Sequence, residues 1–258
     1  MQLVTWNVNS LGARLPRVLE FLTEHSPDVV MLQETKCSDE AFPHSELGEA
    51  GYDAVTHGSG RWAGVAILAR KSLRLEDPLV GLPGERRPEE ARWIEASVAG
   101  MRVASVYVTN GRELESEWYA EKLAFLDAIA ERVARERGSS LVIAGDFNVA
   151  REDRDVYDPA AFIGSTHVSE AERSRFELVL SEGSLADAYR LAHPEETQFT
   201  WWDYRQGHFH RGLGLRIDYI LLGDPLAGAL QECAIARDYR KGTKPSDHAP
   251  LIATTLDP

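Results

Sequence analysis

Short apolar runs that end abruptly in an acid or an amide restrict the fold of this chain more than any other feature. The clearest run is LVIAGDFNVA at residues 141–150, in which four apolar residues lead to Gly145, Asp146 and Asn148. A short apolar run bounded by glycine predicts a strand that is covered on both faces. An aspartate at its end is costly unless it is paired, so it either closes the strand as a turn or faces a ligand, a metal or a phosphate.

The same event recurs at six places along the chain. The polar residues at these strand ends are Asn7 and Asn9, Glu34, Tyr107 and Asn110, Asp146 and Asn148, Asp218, and Asp247 with His248. One such event is a turn, whereas six suggest one shared site at the edge of a sheet. Carboxylate and amide oxygens without cysteine suit Mg²⁺ or Mn²⁺ better than zinc. A lone histidine is often structural, but His248 and the strand residue Asp218 also fit an Asp–His pair.

The periodicity of the remaining sequence predicts a mixed α/β protein. The predicted strands are residues 2–8, 28–33, 64–69, 92–108, 141–144, 217–222 and 249–255, and the predicted helices are 14–25, 116–138 and 169–180. Residues 92–108 read as two strands joined at Ala99-Gly100, a hairpin that argues against an all-parallel sheet. The stretches THGSGRWAG (56–64) and GLPGERRPEEAR (81–92) are predicted to be loops long enough to line a site.

Composition limits the organisation and the class of function. With 258 residues and 43% hydrophobic content, the chain fits one domain over residues 1–258. Two cysteines, no signal-peptide layout and no apolar run of membrane-spanning length favour a cytoplasmic protein without a membrane partner. The net charge of −13 counts against a non-specific DNA coat, but it leaves room for an enzyme with a local basic cleft.

Seven ordered blocks give the chain a family resemblance. TWNVNS, LQETK, VYVTNGR, GDFNVA, FTWWDYR, GLRID and SDHAPL resemble the exonuclease III family of abasic-site endonucleases, within the endonuclease/exonuclease/phosphatase superfamily. The resemblance runs from Leu3 to Leu251. It implies a four-layer α/β sandwich, in which two mixed β-sheets pack face to face with helices outside and the site lies at one end.

The resemblance also implies roles for individual residues. Glu34 matches the principal metal ligand, with Asn7 beside it and Asp247 as a further candidate ligand. Asp146 matches the residue that positions or deprotonates the attacking water, and Asn148 its orienting partner. The other implied roles are a tyrosine near the scissile phosphate at Tyr107, a buried catalytic pair at Asp218 and His248, and substrate or DNA contacts at Asn110, Trp201 and Arg216.

Two departures from the family pattern affect the expected substrate more than the expected reaction. The usual Tyr-x-Pro-Asn is Tyr107-Val108-Thr109-Asn110 here, which removes a rigid turn former, and an asparagine common six residues before the strand aspartate is Gly212.

The resemblance implies a Mg²⁺-dependent (or Mn²⁺-dependent) DNA repair phosphodiesterase that acts as a monomer on double-stranded DNA. It would incise 5′ to abasic sites, act as a 3′–5′ exonuclease, or clear 3′-blocked ends as a diesterase or phosphatase. The alternatives are another superfamily phosphodiesterase, such as a deoxyribonuclease-I-like enzyme or a phospholipid or inositol phosphatase, and a non-catalytic DNA-binding relative. Tyr107 favours the abasic-site branch, because the other branches commonly place a second histidine there.

Overall fold

The computed structural model describes residues 1–256, which form twelve strands and seven α-helices. The strands are β1 (Gln2–Asn7), β2 (Val29–Gln33), β3 (Tyr52–His57), β4 (Val65–Arg70), β5 (Glu76–Val80), β6 (Trp93–Val98), β7 (Met101–Tyr107), β8 (Leu141–Asp146), β9 (Leu185–Asp187), β10 (Asp218–Gly223), β11 (Leu230–Ile235) and β12 (Leu251–Thr255). The helices are α1 (Leu11–His25), α2 (His44–Glu49), α3 (Glu117–Ala134), α4 (Glu170–Gly183), α5 (Ala188–Ala192), α6 (His208–Arg211) and α7 (Asp224–Gly228). Short 3-10 helices lie at Asp39–Ala41, Pro88–Glu90, Asp153–Asp155, Pro159–Phe162, Arg205–Gly207 and Arg237–Arg240.

The strands form two six-stranded sheets of mixed direction. The first has the order β11-β12-β1-β2-β4-β3 and the second β5-β6-β7-β8-β10-β9. Only β1 with β2, and β7 with β8, pair in parallel among the described strands. Each parallel pair is joined by a long helix, α1 or α3, as a parallel connection requires. The predicted hairpin is confirmed, because β6 and β7 pair antiparallel up to Val98 opposite Met101.

Three apolar layers hold the sheets and helices together. The central layer joins the inner faces of the two sheets, with Met31 and Ile67 from the first and Val103 and Ile220 from the second. The first sheet packs its outer face against α1 and α2, and the second packs its outer face against α3 and α4. The predicted four-layer α/β sandwich is therefore confirmed. Each sheet is covered on both faces, which explains why its central strands are short continuous apolar runs.

The helix boundaries differ from the predicted ones by a few residues. Helix α1 begins at Leu11, three residues earlier than predicted, because the Leu11 amide donates to the carbonyl of Thr35 at 2.9 Å. Helix α3 ends at Ala134, four residues before Gly138, and α4 continues to Gly183. Both α3 and α4 begin as the sequence signals predict, with Ser116 and Ser169 as N-cap acceptors.

Candidate active site

Sheet register brings the polar strand ends to one edge of the sandwich. The parallel pairing sets Asn7 beside Gln33, the residue before Glu34, and sets Tyr107 beside Asp146. The antiparallel partner β10 begins at Asp218, directly opposite Asp146. Because the register fixes these neighbours, backbone hydrogen bonds of the sheets position the side chains before any side-chain contact is made.

Gly145 allows the close approach that this edge requires. A Cβ atom at this position would lie 1.9 Å from the carbonyl oxygen of Val106 in the neighbouring strand β7. Only glycine fits that distance, so the residue before Asp146 is fixed by backbone packing. The glycine in the run LVIAGDFNVA therefore lets β8 reach the site edge alongside β7.

Asp146 lies at the centre of a hydrogen-bonded group of amides. Its Oδ2 accepts from Asn7 Nδ2 at 2.9 Å and from Asn148 Nδ2 at 3.2 Å, and its Oδ1 accepts from the Asn148 amide at 2.9 Å. Burial raises the pKa of Asp146, while His248 opposes the rise and Asp218 and Glu34 add to it. A carboxylate whose pKa is raised to about 8 is a stronger base than a free carboxylate, and it is charged and able to accept a proton from a bound water at mildly alkaline pH.

The side-chain amide of Asn7 lies between Glu34 and Asp146. Asn7 Nδ2 donates to Glu34 Oε1 at 2.8 Å as well as to Asp146, and Lys36 Nζ lies 2.7 Å from Glu34 Oε2. Glu34 follows β2 with φ of +49°, and Asn148 follows β8 with φ of +52°. Left-handed backbone is uncommon for residues other than glycine, and here it turns both side chains toward the edge of the sheets.

His248 and Asp218 form a buried pair beside Asp146. His248 Nδ1 lies 2.8 Å from Asp218 Oδ2, and His248 Nε2 lies 3.7 Å from Asp146 Oδ2. Burial alone would lower the pKa of His248, but the carboxylates of Asp218 and Asp146 outweigh it and raise the pKa to about 10. The imidazole is therefore protonated at neutral pH, with Nδ1–H held by Asp218 and Nε2–H directed toward the site.

The described residues contain one group of acids and histidine that could hold a metal. Glu34, Asp146 and His248 each offer a ligand atom, and these atoms lie within 4.8 Å of one another. The carboxylate oxygens fit a hard divalent cation. Because Asp218 and Asp146 favour the protonated form of His248, Glu34 is the better metal ligand of the three.

Two predicted metal ligands have other partners in this structure. Asn7 acts as a donor between the carboxylates, and its Oδ1 accepts from the Asn9 amide at 3.0 Å. The Asp247 oxygens accept from Asn9 Nδ2 at 2.9 Å and from Trp201 Nε1 at 3.1 Å. Metal ligation by Asn7 and Asp247 stays a prediction.

Tyr107 and two predicted DNA-contact residues, Trp201 and Asn110, differ in their surroundings. Burial raises the pKa of Tyr107 well above its usual range, with Glu34 adding to the effect, so the phenol is neutral and can donate. Trp201 is half-buried, and its backbone pairs with that of His248 in a single antiparallel β-bridge. Asn110 is exposed, and its Oδ1 accepts from the Arg112 amide at 2.8 Å.

The predicted DNA contact of Arg216 is wrong. Its side chain is fully buried, with Nε 2.8 Å from Asp155 Oδ1 and Nη1 2.7 Å from Asp187 Oδ2. Its guanidinium also lies 4.7 Å from the ring centroid of Tyr219. An arginine that is enclosed by two carboxylates has no surface left for a phosphate, so its role is to hold the segment before Asp218.

Sequence reasoning gave no role to three cations around the site. Lys36 contacts Glu34, Arg92 lies 4.9 Å over the Tyr107 ring, and the buried Lys122 donates to the Asn148 carbonyl at 2.7 Å. Lys36 belongs to the motif LQETK, and its position two residues after Glu34 is the sequence feature that could indicate a role at the site. Arg92 and Lys122 lie far along the chain from their partners, so no local pattern shows those contacts.

A two-sheet sandwich with carboxylates, amides and an Asp–His pair at one edge defines a class of phosphate-ester hydrolases. The model of the Endonuclease/Exonuclease/phosphatase family matches residues 4–248, and the chain belongs to that family. The chain is 31% identical to exodeoxyribonuclease III of Haemophilus influenzae, with 98% of this chain and 99% of that protein covered. It is 27% identical to the DNA repair nuclease APEX1 of Danio rerio, covering 97% and 81%.

Solved structures agree with this assignment. The 3′ phosphatase NExo from Neisseria, in a structure bound to a product DNA hairpin, is 40% identical with a TM-score of 0.95, and 99% of each chain is covered. An AP endonuclease from Archaeoglobus fulgidus is 36% identical with a TM-score of 0.94, again with 99% of each chain covered. The resemblance to the exonuclease III family, predicted from seven sequence blocks, is confirmed.

Proposed function

We propose that this protein is a Mg²⁺-dependent DNA repair phosphodiesterase that acts on double-stranded DNA at abasic sites and at blocked 3′ ends. The observation that carries the proposal is the position of Asp146, within hydrogen-bonding distance of Asn7 and Asn148 and 3.7 Å from the Asp218-bound His248. The relatives named above, an exodeoxyribonuclease, a 3′ phosphatase and an AP endonuclease, support this function over lipid or inositol phosphatase activity.

The donor set fits a hard divalent cation. Glu34 would be its principal ligand, and Lys36 would balance part of the charge of Glu34. Mg²⁺ held there would supply Lewis-acid stabilisation of the negative charge that develops during hydrolysis. Mn²⁺ meets the same oxygen ligands, so both ions are expected to support activity.

The residues of the chain account for the remaining steps of hydrolysis. Asp146, fixed by Asn7 and Asn148, holds a water in line with the phosphorus and takes its proton as the new P–O bond forms. His248, held by Asp218, donates through Nε2 to a phosphate oxygen, and the Tyr107 hydroxyl donates to the same charged group. The bond from phosphorus to the leaving oxygen then breaks, that oxygen takes a proton from a solvent water, and Asp146 returns the proton it accepted to solvent.

Recognition of damage is proposed to depend on shape. An abasic site or a frayed 3′ end is cheaper to move out of the stack than a paired nucleotide, by the few kcal/mol that unstacking costs. The proposal assigns contact with the displaced sugar to Trp201, whose indole donates to Asp247 at 3.1 Å, and contact with the adjoining backbone to the exposed Asn110.

Three matched duplexes test the proposal. They carry a tetrahydrofuran abasic analogue, a 3′-phosphate, or an undamaged recessed 3′ end, and are assayed with Mg²⁺, with Mn²⁺ and with EDTA. We expect metal-dependent incision or 3′-end removal on at least one damaged duplex, and loss of about 10³-fold or more in Asp146→Asn. Asp53→Asn, an exposed aspartate on the edge strand β3, is the control and should keep wild-type rates. Activity in EDTA, or wild-type rates in Asp146→Asn, would contradict the proposal.

The organisation of the protein is part of the same proposal. We infer a single catalytic domain over residues 1–258 that works as a monomer in the cytoplasm. No helix within residues 1–256 is long and apolar enough to cross a membrane. Sedimentation of the purified protein with and without a damaged duplex tests the monomer, which predicts a single 28.7 kDa species and a 1:1 complex.

A further inference from the structure

A cavity of about 550 Å³ lies beside Tyr107 and has no part in the chemistry described above. Its walls come from the two loops before β4 and β6, from the segment after β7 and from the first turn of α3, and they include Trp62, Glu89, Glu90, Arg92, Arg112 and Trp118. Neither Trp201 nor His248 lines it. The cavity is therefore a separate region from the Trp201 side of the site.

Aromatic and guanidinium groups form the walls of this cavity. Trp62 is 70% exposed, the highest value among the exposed aromatic residues, although it belongs to a short connection between strands. The ring of Trp118 has the guanidinium carbons of Arg87 and Arg112 each 4.2 Å from its centroid. The Trp118 ring is therefore already stacked against cations, and the Trp62 ring is the flat group left exposed to water, at a free-energy cost that stacking on a planar ligand would remove.

Arg92 connects the cavity to the reaction site. It lines the cavity while its guanidinium lies 4.9 Å over the Tyr107 ring, and its carbonyl accepts from the Tyr107 amide at 2.9 Å. Two of its side-chain nitrogens bind Glu90, but its buried Nη1 has no hydrogen-bond partner. A ligand in the cavity would lie next to the residue that contacts the scissile phosphate in the proposed mechanism.

The charges of the lining distinguish a base from a phosphate. Arg92 and Arg112 are balanced by Glu89 and Glu90, so the cavity offers both donors and acceptors and little net charge. A phosphate would favour a surplus of cations, whereas a nucleobase is neutral and planar and carries donors and acceptors on its edge. The cavity volume falls within the range of small-molecule sites.

We propose that this cavity, walled by Trp62, Arg112 and Trp118, binds an unstacked nucleobase of the substrate strand next to the scissile phosphate. The inference rests on the proposed action on DNA. Base stacking on an aromatic side chain tolerates any sequence, because every base has a π-face. The cavity would thus hold a frayed or single-stranded nucleotide without reading its identity.

Binding in EDTA tests the base cavity independently of catalysis. The probes are a fluorescent single-stranded oligodeoxynucleotide and an all-tetrahydrofuran strand of the same length, which has the same phosphates and no bases. We expect the wild type to prefer the base-bearing strand by about 5- to 100-fold, the range that stacking of one base supplies. Trp62→Ala should remove most of that preference without lowering the affinity for the base-free strand. Trp62→Phe should keep most of it, and Leu79→Ala, an exposed apolar residue outside the cavity, should leave it unchanged.

Two results would overturn the proposal: equal affinity of the wild type for both strands, or equal weakening of both strands in Trp62→Ala. The second result would assign Trp62 a general backbone contact. Because no step of this measurement needs hydrolysis, a protein that failed every nuclease assay could still show the base preference. Conversely, an active nuclease without base preference would refute the cavity and leave the proposed function standing.

Discussion

Removing the buried ammonium of Lys122 should destabilise the protein strongly, because it leaves a second buried charge without its partner. Lys122 and Glu172 are both fully buried and form an ion pair between α3 and α4. Lys122 Nζ also donates to the Asn148 carbonyl at 2.7 Å, and Glu172 Oε1 accepts from the His167 amide at 2.9 Å. Burial would raise the pKa of Glu172, but Lys122 outweighs it and lowers the pKa, so the carboxylate is charged in the folded protein.

Lys122→Met keeps the length of the side chain and removes its charge. Breaking a buried ion pair costs about 3–5 kcal/mol, and for a chain of this size that corresponds to a fall in Tm of about 6–20 °C. Lys122→Met/Glu172→Gln removes both charges while the glutamine oxygen can still accept from the backbone, so it should recover most of the loss. The remaining deficit should be about 1 kcal/mol for the lost bond to Asn148.

Urea and thermal melts at pH 7 measure these differences. Lys71→Met is the matched control, because Lys71 is exposed and donates only to a surface carbonyl of Gly48 at 2.7 Å. Its free energy of unfolding should change by no more than about 0.5 kcal/mol. The reasoning is refuted if Lys122→Met stays within about 1 kcal/mol of the wild type, or if the double variant is as unstable as the single one.

Three further predictions concern the site and its surroundings. His248→Ala and Asp218→Ala should each strongly lower the single-turnover rate on a damaged duplex, and the double variant should be little slower than the slower single variant. Multiplicative rate losses would show that the two residues do not act together. Glu34→Gln should need more Mg²⁺ for half-maximal rate and be partly rescued by excess metal, whereas an unchanged Mg²⁺ dependence would exclude Glu34 as the main ligand. Burial lowers the pKa of His167 from the ordinary 6.5 to about 4, and the nearby Lys122 adds to this effect. The neutral imidazole therefore contributes its full stabilisation above pH 6.5, and this stabilisation is lost as the pH falls toward 4. Between pH 7 and pH 5, the free energy of unfolding should fall by up to about 2 kcal/mol more in the wild type than in His167→Gln. Equal pH slopes of the two proteins in urea melts would contradict this.

The strands that the sequence failed to predict share a physical reason. They are β3, β5, β9 and β11, and each is the edge strand of its sheet. An edge strand is paired on one side and incompletely covered, so it does not need a continuous apolar run. Every residue of β5 is exposed, and Pro78 within it lacks the amide that a central strand would have to donate. All the central strands were predicted, because burial on both faces leaves an apolar run in the sequence.

The site residues divide in the same way between local and long-range signals. Asp146, Asn148 and Glu34 were recognisable because each follows its apolar strand directly. The family resemblance assigns Arg216 to DNA through the motif GLRID, and nothing near it in the sequence points to Asp155 and Asp187, 61 and 29 positions away. Long-range pairing of charges decides whether an arginine is buried or exposed, and single-sequence patterns do not report it.

Two buried ion pairs lie next to the chain segments that carry the site acids Asp146 and Asp218. Lys122, paired with Glu172, donates to the carbonyl of Asn148, whose amide donates to Asp146. Arg216, paired with Asp155 and Asp187, lies two residues before Asp218, and its amide donates to the Asp155 carbonyl at 2.9 Å. Apolar packing of equal volume often stabilises a fold as well as a buried ion pair does, so stability alone gives little reason for two of them here. Lys122 instead bonds the backbone carbonyl of Asn148, and the Arg216 guanidinium ties the segment before Asp218 to Asp155 and Asp187. Both cations therefore hold chain next to a site acid, where hydrolysis requires a fixed geometry. Removing either cation should therefore disturb the position of a site acid as well as the stability of the fold.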